Sequence, residues 1–181
     1  MPRSLLLAAA VLPIALRAGA ASAQSAASGE FIAKARSTDA FEQAAGRLAE
    51  KRGTNPDVKA FGAMMVKDHT MTTNELRQVL AKNKLPMNGT PSPNPTQAKI
   101  LADLRSVPKK GFDRAYVHSQ VAAHEEALKL MKEYGAQGDN ADLKAAAIKT
   151  APLVEQHLKM ARELEFTIGG TSTGAARKID G

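Results

Sequence analysis

The stretch GTNPDVKAFGAMMVKDH, residues 53–69, contains the strongest turn signal of the chain and the first half of an amphipathic helix. Gly53 is typical of a residue just after a helix, Asn55 of an N-cap and Pro56 of the first position in the next helix. Such a short connection leaves no length for a crossover, so the helices on either side must be neighbours. We therefore predict that the first two helices form an antiparallel hairpin.

The spacing of apolar residues is helical through most of the chain, and no segment shows the alternation that is typical of a strand. Ser28 is predicted to cap the first helix, and the predicted helices cover about residues 29–52, 56–83, 112–135 and 139–165. Residues 85–95 contain four prolines and cannot be helical. A short extra helix is predicted over about residues 96–104. A short link at Gln137-Gly138 predicts a second antiparallel hairpin from the last two long helices. Two hairpins joined by the long crossover connection predict an all-α, ferritin-like four-helix bundle.

The chain opens with MPRSLLLAAAVLPIALRAGAASAQS, which has the parts of a secretory signal peptide. Arg3 provides a positive start, an apolar stretch too short to span a bilayer follows, and small residues predict cleavage after Ala23. No later apolar run reaches the length of a transmembrane helix. We therefore predict a soluble periplasmic protein with four parts: a cleaved signal peptide (1–23), a flexible N-terminus (24–28), the bundle (29–165) and a mobile C-terminal tail (166–181).

The composition restricts the possible cofactors and partners. The chain has no cysteine, which excludes disulfides, thiolate chemistry and cysteine-ligated metals. Loss of Arg3 and Arg17 with the signal peptide lowers the formal charge from +7 to +5, which predicts weak contact with anionic envelope surfaces. Export, together with only two tyrosines and five phenylalanines, argues against a nucleic-acid partner.

Four polar side chains with metal-binding atoms fall on the stripes that the predicted helices bury: Glu42, His69, His124 and His157. One such side chain per helix is how helical bundles build an interior metal site. Imidazole and carboxylate ligands suit a transition metal such as iron, copper or zinc. The alternative is a structural network in which these groups satisfy one another or bind buried water.

The number of residues between each side chain and the nearest turn does not place the four side chains at one height along the bundle. Measured from the turns at about 1.5 Å per residue, Glu42 and His69 differ by about 6 Å, and His124 and His157 by about 9 Å. Asp68 is adjacent to His69 but points about 100° away around the helix, so we expect it to support the site at most. His118 shares a face with charged residues and is predicted to be exposed.

The motifs of several enzyme classes are missing from the sequence. His124 and Glu125 begin a zinc-protease motif, but Leu128 occupies the place of the second histidine. The E-x-x-H pair of di-iron bundles, the nucleophile elbow and the phosphate-binding glycine loop are also absent. The sequence therefore disfavours an enzymatic function. It leaves two hypotheses: an exported bundle that binds one transition-metal ion, and a non-catalytic structural or stress-related interaction module of the cell envelope with no ligand.

Five short motifs occur in this order: Phe41-Glu42, MVKDHT (65–70), GFDRAY (111–116), Gln120-Val121 with His124, and Pro152-Leu153 with His157. This pattern resembles the bacterial exported domain-of-unknown-function family numbered 4142, whose members are often labelled outer membrane proteins. The resemblance extends over about residues 29–165. It implies a ferritin-like helical bundle with the four polar side chains at the family's marked positions, and it implies no established activity.

Overall fold

The computed structural model describes residues 25–174, and every regular element within that range is a helix. The five helices are α1 (Ala26–Arg52), α2 (Pro56–Lys82), α3 (Pro95–Ser106), α4 (Lys109–Gln137) and α5 (Ala141–Gly174). The prediction of an all-α fold is confirmed. The signal peptide predicted for residues 1–23 lies outside the described residues, as do residues 24 and 175–181.

The turn between α1 and α2 follows the prediction and is held by a residue from α4. The side chain of Asn55 accepts a hydrogen bond from the Asp57 amide at 2.7 Å, and Pro56 is the first residue of α2. The carboxylate of Asp113 accepts hydrogen bonds from the backbone amides of Thr54 at 3.0 Å and Asn55 at 2.9 Å. An α4 side chain therefore satisfies backbone donors that the turn leaves unpaired.

Two glycines bring α1 and α2 unusually close together. A Cβ atom at Gly46 would lie 2.5 Å from the carbonyl oxygen of Gly62, and a Cβ atom at Gly62 would lie 2.7 Å from the Cβ of Ala49. Both positions therefore require glycine because of the close approach of the neighbouring backbone.

Helix α1 starts within the segment predicted as a flexible N-terminus, residues 24–28. Its first residue is Ala26, and the N-cap is Ser25, whose hydroxyl accepts from the Ser28 amide at 3.1 Å. Ser28 is buried instead of capping the helix, and its hydroxyl lies 2.8 Å from the Tyr134 hydroxyl and 2.7 Å from Asp139 Oδ1. These bonds tie the start of α1 to the end of α4 and the turn that follows it.

Residues 166–174, the first part of the segment predicted as a mobile C-terminal tail, extend α5 in the structure. The hydroxyl of Thr167 donates to the carbonyl of Glu163 at 2.9 Å, a bond between residues one helical turn apart. Glycine in a helix costs only about 1 kcal/mol relative to alanine, so the glycines of this segment weaken the helix without ending it.

The segment between α2 and α4 contains the short extra helix, which is slightly longer than predicted. Asn94, and not Thr96, is the N-cap of α3, and it forms a reciprocal capping box with Gln97. Leu101 and Leu104 are buried against the second core cluster described below. The hydrophobic contacts of these two leucines fix α3 on the outside of the long helices.

Contacts between helix ends give the directions of the long helices. Arg52 near the end of α1 lies 5.2 Å over the ring of Phe112 near the start of α4, so α1 and α4 are antiparallel. Lys82 at the end of α2 contacts Asp142 at the start of α5 at 2.8 Å, so α2 and α5 are also antiparallel. Because α1 is antiparallel to both α2 and α4, the latter two run the same way. The segment containing α3 therefore carries the chain along the length of the helices.

The core consists of two apolar clusters with buried polar residues between them. The first cluster includes Leu76 and Val154, and the second includes Met65 and Phe112. Along α2, His69 lies between Met65 of the second cluster and Leu76 of the first. His124 on α4 and His157 on α5 also lie between residues of one cluster and residues of the other. The polar layer therefore lies near the middle of the long helices.

No helix within residues 25–174 is both long enough and apolar enough to cross a bilayer.

Candidate metal centre

Three of the four predicted ligands come together in the polar layer. His69 on α2, His124 on α4 and His157 on α5 are buried, with at most 4% of each residue exposed. Their ring centroids are 5.4 to 5.9 Å apart, and one nitrogen from each ring lies within 4.8 Å of one nitrogen from each of the others. Shifts of less than about 1 Å per ring would bring three nitrogens to the distance of about 2 Å that metal–imidazole bonds require.

The short distances contradict the height mismatch expected for His124 and His157. Helix α4 ends at Gln137 and α5 begins at Ala141, so both helix ends are shifted relative to the prediction. With these ends the mismatch falls to about 4.5 Å at about 1.5 Å per residue. Two imidazole side chains cover that difference, and their ring centroids are 5.4 Å apart.

Each histidine has one ring nitrogen held by an acceptor from elsewhere in the fold. His69 Nδ1 donates to Asp39 Oδ1 at 2.8 Å, and His124 Nδ1 donates to the carbonyl oxygen of Gln120 at 2.9 Å. His157 Nε2 donates to Asp68 Oδ2 at 3.0 Å. Because each of these groups accepts an N–H hydrogen bond, the ring proton stays on the donating nitrogen, and the second nitrogen of a neutral ring carries a lone pair.

The second nitrogen of each ring is buried and unpartnered. Within the described part of the chain, His69 Nε2, His124 Nε2 and His157 Nδ1 have no hydrogen-bond partner. Metal-binding histidines are held in this way, with one nitrogen toward the ion and the other donating to a carboxylate or carbonyl.

Glu42 on α1 lies beside the three histidines. It is 1% exposed, and its Oε1 is 3.9 Å from His124 Nδ1, the nitrogen that donates to Gln120. Neither carboxyl oxygen has a hydrogen-bond partner within normal distance among residues 25–169, although the side chain of Gln120 is close enough to lower the pKa of Glu42. Glu42 is outside the group of mutually close nitrogens, so a shift of its side chain is needed for it to share an ion with the histidines.

Burial is the main influence on the charge of the cluster. It raises the pKa of Glu42 to about 7, and the charge of His69 opposes that rise. It lowers the pKa of His124 to about 3, helped by the charges of His69 and His157. Burial also lowers the pKa of His157, against the hydrogen bond that this ring donates to Asp68. His124 and His157 are therefore neutral at pH 7, the form that binds metals.

His69 differs from the other two histidines because carboxylates surround it. Burial alone lowers its pKa, but the hydrogen bond to Asp39 and the charges of Glu42, Asp39 and Asp68 raise it overall. A bound cation would compete with the proton for this ring.

The sequence analysis missed the role of Asp39 and did not say which histidine Asp68 contacts. Asp39 binds His69 and also accepts hydrogen bonds from the hydroxyls of Thr72 and Thr73, each at 2.8 Å. Asp68 supports the site as expected, but it contacts His157 on α5 and not its own neighbour in sequence. Its orientation, about 100° around α2 from His69, places it toward α5.

Two further buried polar residues on α4 were also missed as part of the site. Tyr116 and Gln120 precede His124 at intervals of four residues, so all three share one helix face. Both are fully buried, and within the described residues the Tyr116 hydroxyl and the Gln120 amide atoms lack hydrogen-bond partners. The four-residue spacing of Tyr116, Gln120 and His124 was a signal for this extension of the polar layer.

The comparison with protein families agrees with the resemblance seen in the motifs. The model of the domain of unknown function DUF4142 matches residues 15–164. The chain belongs to the DUF4142 family. The matched residues include Glu42 and all three histidines of the cluster. Neither the curated proteins nor the solved structures contain a significant match to the chain. Membership of the DUF4142 family brings no activity with it, so the function has to be argued from the geometry.

Proposed function

We propose that this protein is a periplasmic, ferritin-like helical bundle that binds one transition-metal ion through His69, His124 and His157, with Glu42 as a fourth donor. The observation that carries the proposal is the convergence of three buried imidazoles from three helices. Each ring has one nitrogen held by its own acceptor, which leaves the other nitrogen available to an ion.

The free nitrogens support a metal site over a purely structural network. An unpaired buried polar group costs about 1 to 3 kcal/mol, so a cluster of three is costly unless something binds it. The residues described around the cluster give these nitrogens no donor. A single cation satisfies all three lone pairs together.

The helix directions support the ferritin-like part of the proposal. Helices α1 and α2 form one antiparallel pair, α4 and α5 form another, and the long segment between residues 83 and 108 joins them. One long crossover between two hairpins distinguishes ferritin-like bundles from simple up-and-down bundles. Ligands in such bundles project inward from facing helices, as the histidines do here.

The donor set favours zinc, iron or copper. Three imidazole nitrogens and a carboxylate oxygen suit these metals. The chain has no cysteine, so it offers no soft thiolate ligand. Such an ion supplies Lewis acidity, and iron or copper also supplies one-electron chemistry. The residues of the chain orient the rings through Asp39, Gln120 and Asp68, and the two apolar clusters exclude bulk water.

The experiment is metal analysis of untagged protein purified from the periplasm, followed by titration of the chelator-treated protein with zinc, iron(II) and copper(II). We expect one ion per chain and a melting temperature that rises with metal, since a ligand at 100 times its Kd stabilises by about 2.7 kcal/mol. His124→Ala should abolish both effects. His118→Ala is the matched control, because His118 is on the same helix with a side chain that is 79% exposed.

Two results would contradict the proposal. One is wild-type protein whose melting is unchanged by each metal and by chelator. The other is His124→Ala protein that binds metal as the wild type does. Either result would favour the structural or stress-related interaction module without a ligand.

A further inference from the structure

A small cavity adjoins the histidine cluster on the side of the first apolar cluster. Its volume is about 50 Å³, and residues from α1, α2, α4 and α5 line it. His69 and His157 are among the lining residues, while His124 is not. The cavity therefore reaches the candidate metal centre from one side.

The walls of the cavity are mainly apolar and include several small side chains. Alanines at positions 35, 127, 146 and 147 line it, together with larger residues such as Phe31 and Val154. Asp39 and Thr72, which also line it, are hydrogen-bonded to each other at 2.8 Å. Among the lining residues, all of them described, the buried polar atoms without a partner are His69 Nε2 and His157 Nδ1.

The size and lining of the cavity define the kind of molecule that fits. A water molecule needs about 10 to 15 Å³ of such space, and cavities with apolar walls take up apolar molecules such as xenon. Pockets for organic substrates are typically about 300 to 1,000 Å³, far larger than this one. A space of about 50 Å³ suits an uncharged molecule of two heavy atoms.

Several residues that line the cavity are half-buried, among them Thr72 and Glu75 on α2 and Thr150 on α5. The gap between α2 and α5 is therefore one way into the cavity. Lys149 on α5 forms an ion pair with Glu75 on α2 at 2.8 Å. A surface ion pair of this kind contributes little stability. Breaking it to admit a small molecule therefore costs little free energy.

We propose that this cavity delivers an uncharged diatomic molecule of the dioxygen or nitric oxide type to the metal ion held by the histidines. The proposal rests on the proposed metal site for its end point. His69 and His157 both line this cavity, so an ion held by their unpartnered nitrogens would have the apolar space beside it.

The first experiment tests the cavity in chelator-treated protein, with xenon as the probe and methyl NMR as the readout. We expect saturable shifts for methyl groups that line the cavity, such as those of Leu76 and Val154, and none for the distant Val58. Ala146→Leu should abolish these shifts, because the larger side chain fills the space. Ala145→Leu is the matched control, since Ala145 is an exposed neighbour that does not line the cavity.

The second experiment tests delivery to the metal, with iron(II)-loaded protein and nitric oxide followed by EPR. We expect a nitrosyl signal that forms rapidly in the wild type and in Ala145→Leu, and slowly or not at all in Ala146→Leu. An iron-loaded wild type that forms no nitrosyl signal would overturn the proposal. Equal rates in the two variants would also overturn it, because the cavity would then not be the route.

The two failures are distinguishable. Absence of xenon shifts in the wild-type apoprotein would overturn the cavity proposal and leave the metal titrations unaffected. Absence of metal binding in the titrations would overturn the proposed function, and delivery to a metal with it, even where xenon binds.

Discussion

The carboxylate of Asp68 on α2 accepts a hydrogen bond from His157 on α5 at 3.0 Å, although Asp68 is the immediate neighbour of His69. The bond joins the two helical hairpins at the height of the histidine cluster. It also assigns the proton of His157 to Nε2, so Nδ1 is the atom available to an ion. One residue of the first hairpin thus sets the orientation of a candidate ligand in the second.

Removal of this bond should weaken metal binding without removing a ligand. We predict that Asp68→Ala lowers metal affinity by about 10- to 100-fold, the usual effect of losing a group that orients a ligating histidine. Isothermal titration with zinc measures the change. Asp103→Ala on α3 is the control, because Asp103 forms only an exposed ion pair with Lys99. Equal affinities for the two variants would show that Asp68 does not position His157.

The burial of Glu42 predicts a specific pH dependence of stability in the metal-free protein. Its pKa is raised from 4.5 to about 7, so the folded state binds more protons than the unfolded state between these values. The contribution of Glu42 to stability is therefore present below pH 4.5 and is lost as the pH rises through 7. Glu42→Gln has no such titration. Between pH 4.5 and 8, we expect the wild type to lose about 2 to 3 kcal/mol more than the variant.

The measurement for Glu42 is urea unfolding at a series of pH values with chelator present. The difference between the two proteins reports Glu42 together with its coupling to His69, because the charge of Glu42 raises the pKa of that histidine. Parallel stability curves for wild type and Glu42→Gln would contradict the buried, neutral state of this carboxyl group.

The close approach of α1 and α2 predicts that Gly→Ala substitutions destabilise the protein where the helices touch and stabilise it where there is free space. Gly62→Ala places a methyl group 2.7 Å from the Cβ of Ala49, so we expect a loss of about 1 to 3 kcal/mol from overpacking. Gly169→Ala meets no atom within 4 Å, and we expect a gain of up to about 1 kcal/mol from helix propensity. Thermal unfolding compares the two variants. A neutral Gly62→Ala would mean that the helices separate at little cost.

The predicted signal peptide has a direct test. We expect that protein recovered from the periplasm begins at Gln24, because the small residues before it match a cleavage site. N-terminal sequencing of the exported protein makes the measurement, with total cell extract as the comparison. An intact leader on the mature protein would show that the start of the chain is retained.

The parts of the fold that depend on local sequence were predictable. The Gly53–Asn55–Pro56 turn and the proline-rich connection are local signals, and both the hairpin and the extra helix are present. The extents of the first and last helices were not predicted. Ser28 resembles a cap in sequence, but its bonds to Tyr134 and Asp139 involve residues more than a hundred positions away. Such distant partners decide where a helix begins, and periodicity does not contain them.

The same distinction applies to the candidate site. Helical spacing was enough to place Glu42 and the three histidines on buried faces, because burial follows from the stripe they share with apolar residues. Which acceptor holds which ring was not predictable from spacing. Asp39 and Asp68 reach histidines on other helices, and those pairings depend on helix rotation and crossing, which a single sequence does not determine.

The three histidines do not belong to one hairpin: His69 comes from the first, and His124 and His157 come from the second. Neither hairpin alone therefore contains the complete candidate site. If the chain is exported and binds a metal as proposed, it would acquire its ion only after both hairpins had docked on the far side of the membrane. The metal it carried would then be decided by what that compartment supplies, and not by what the cytoplasm holds.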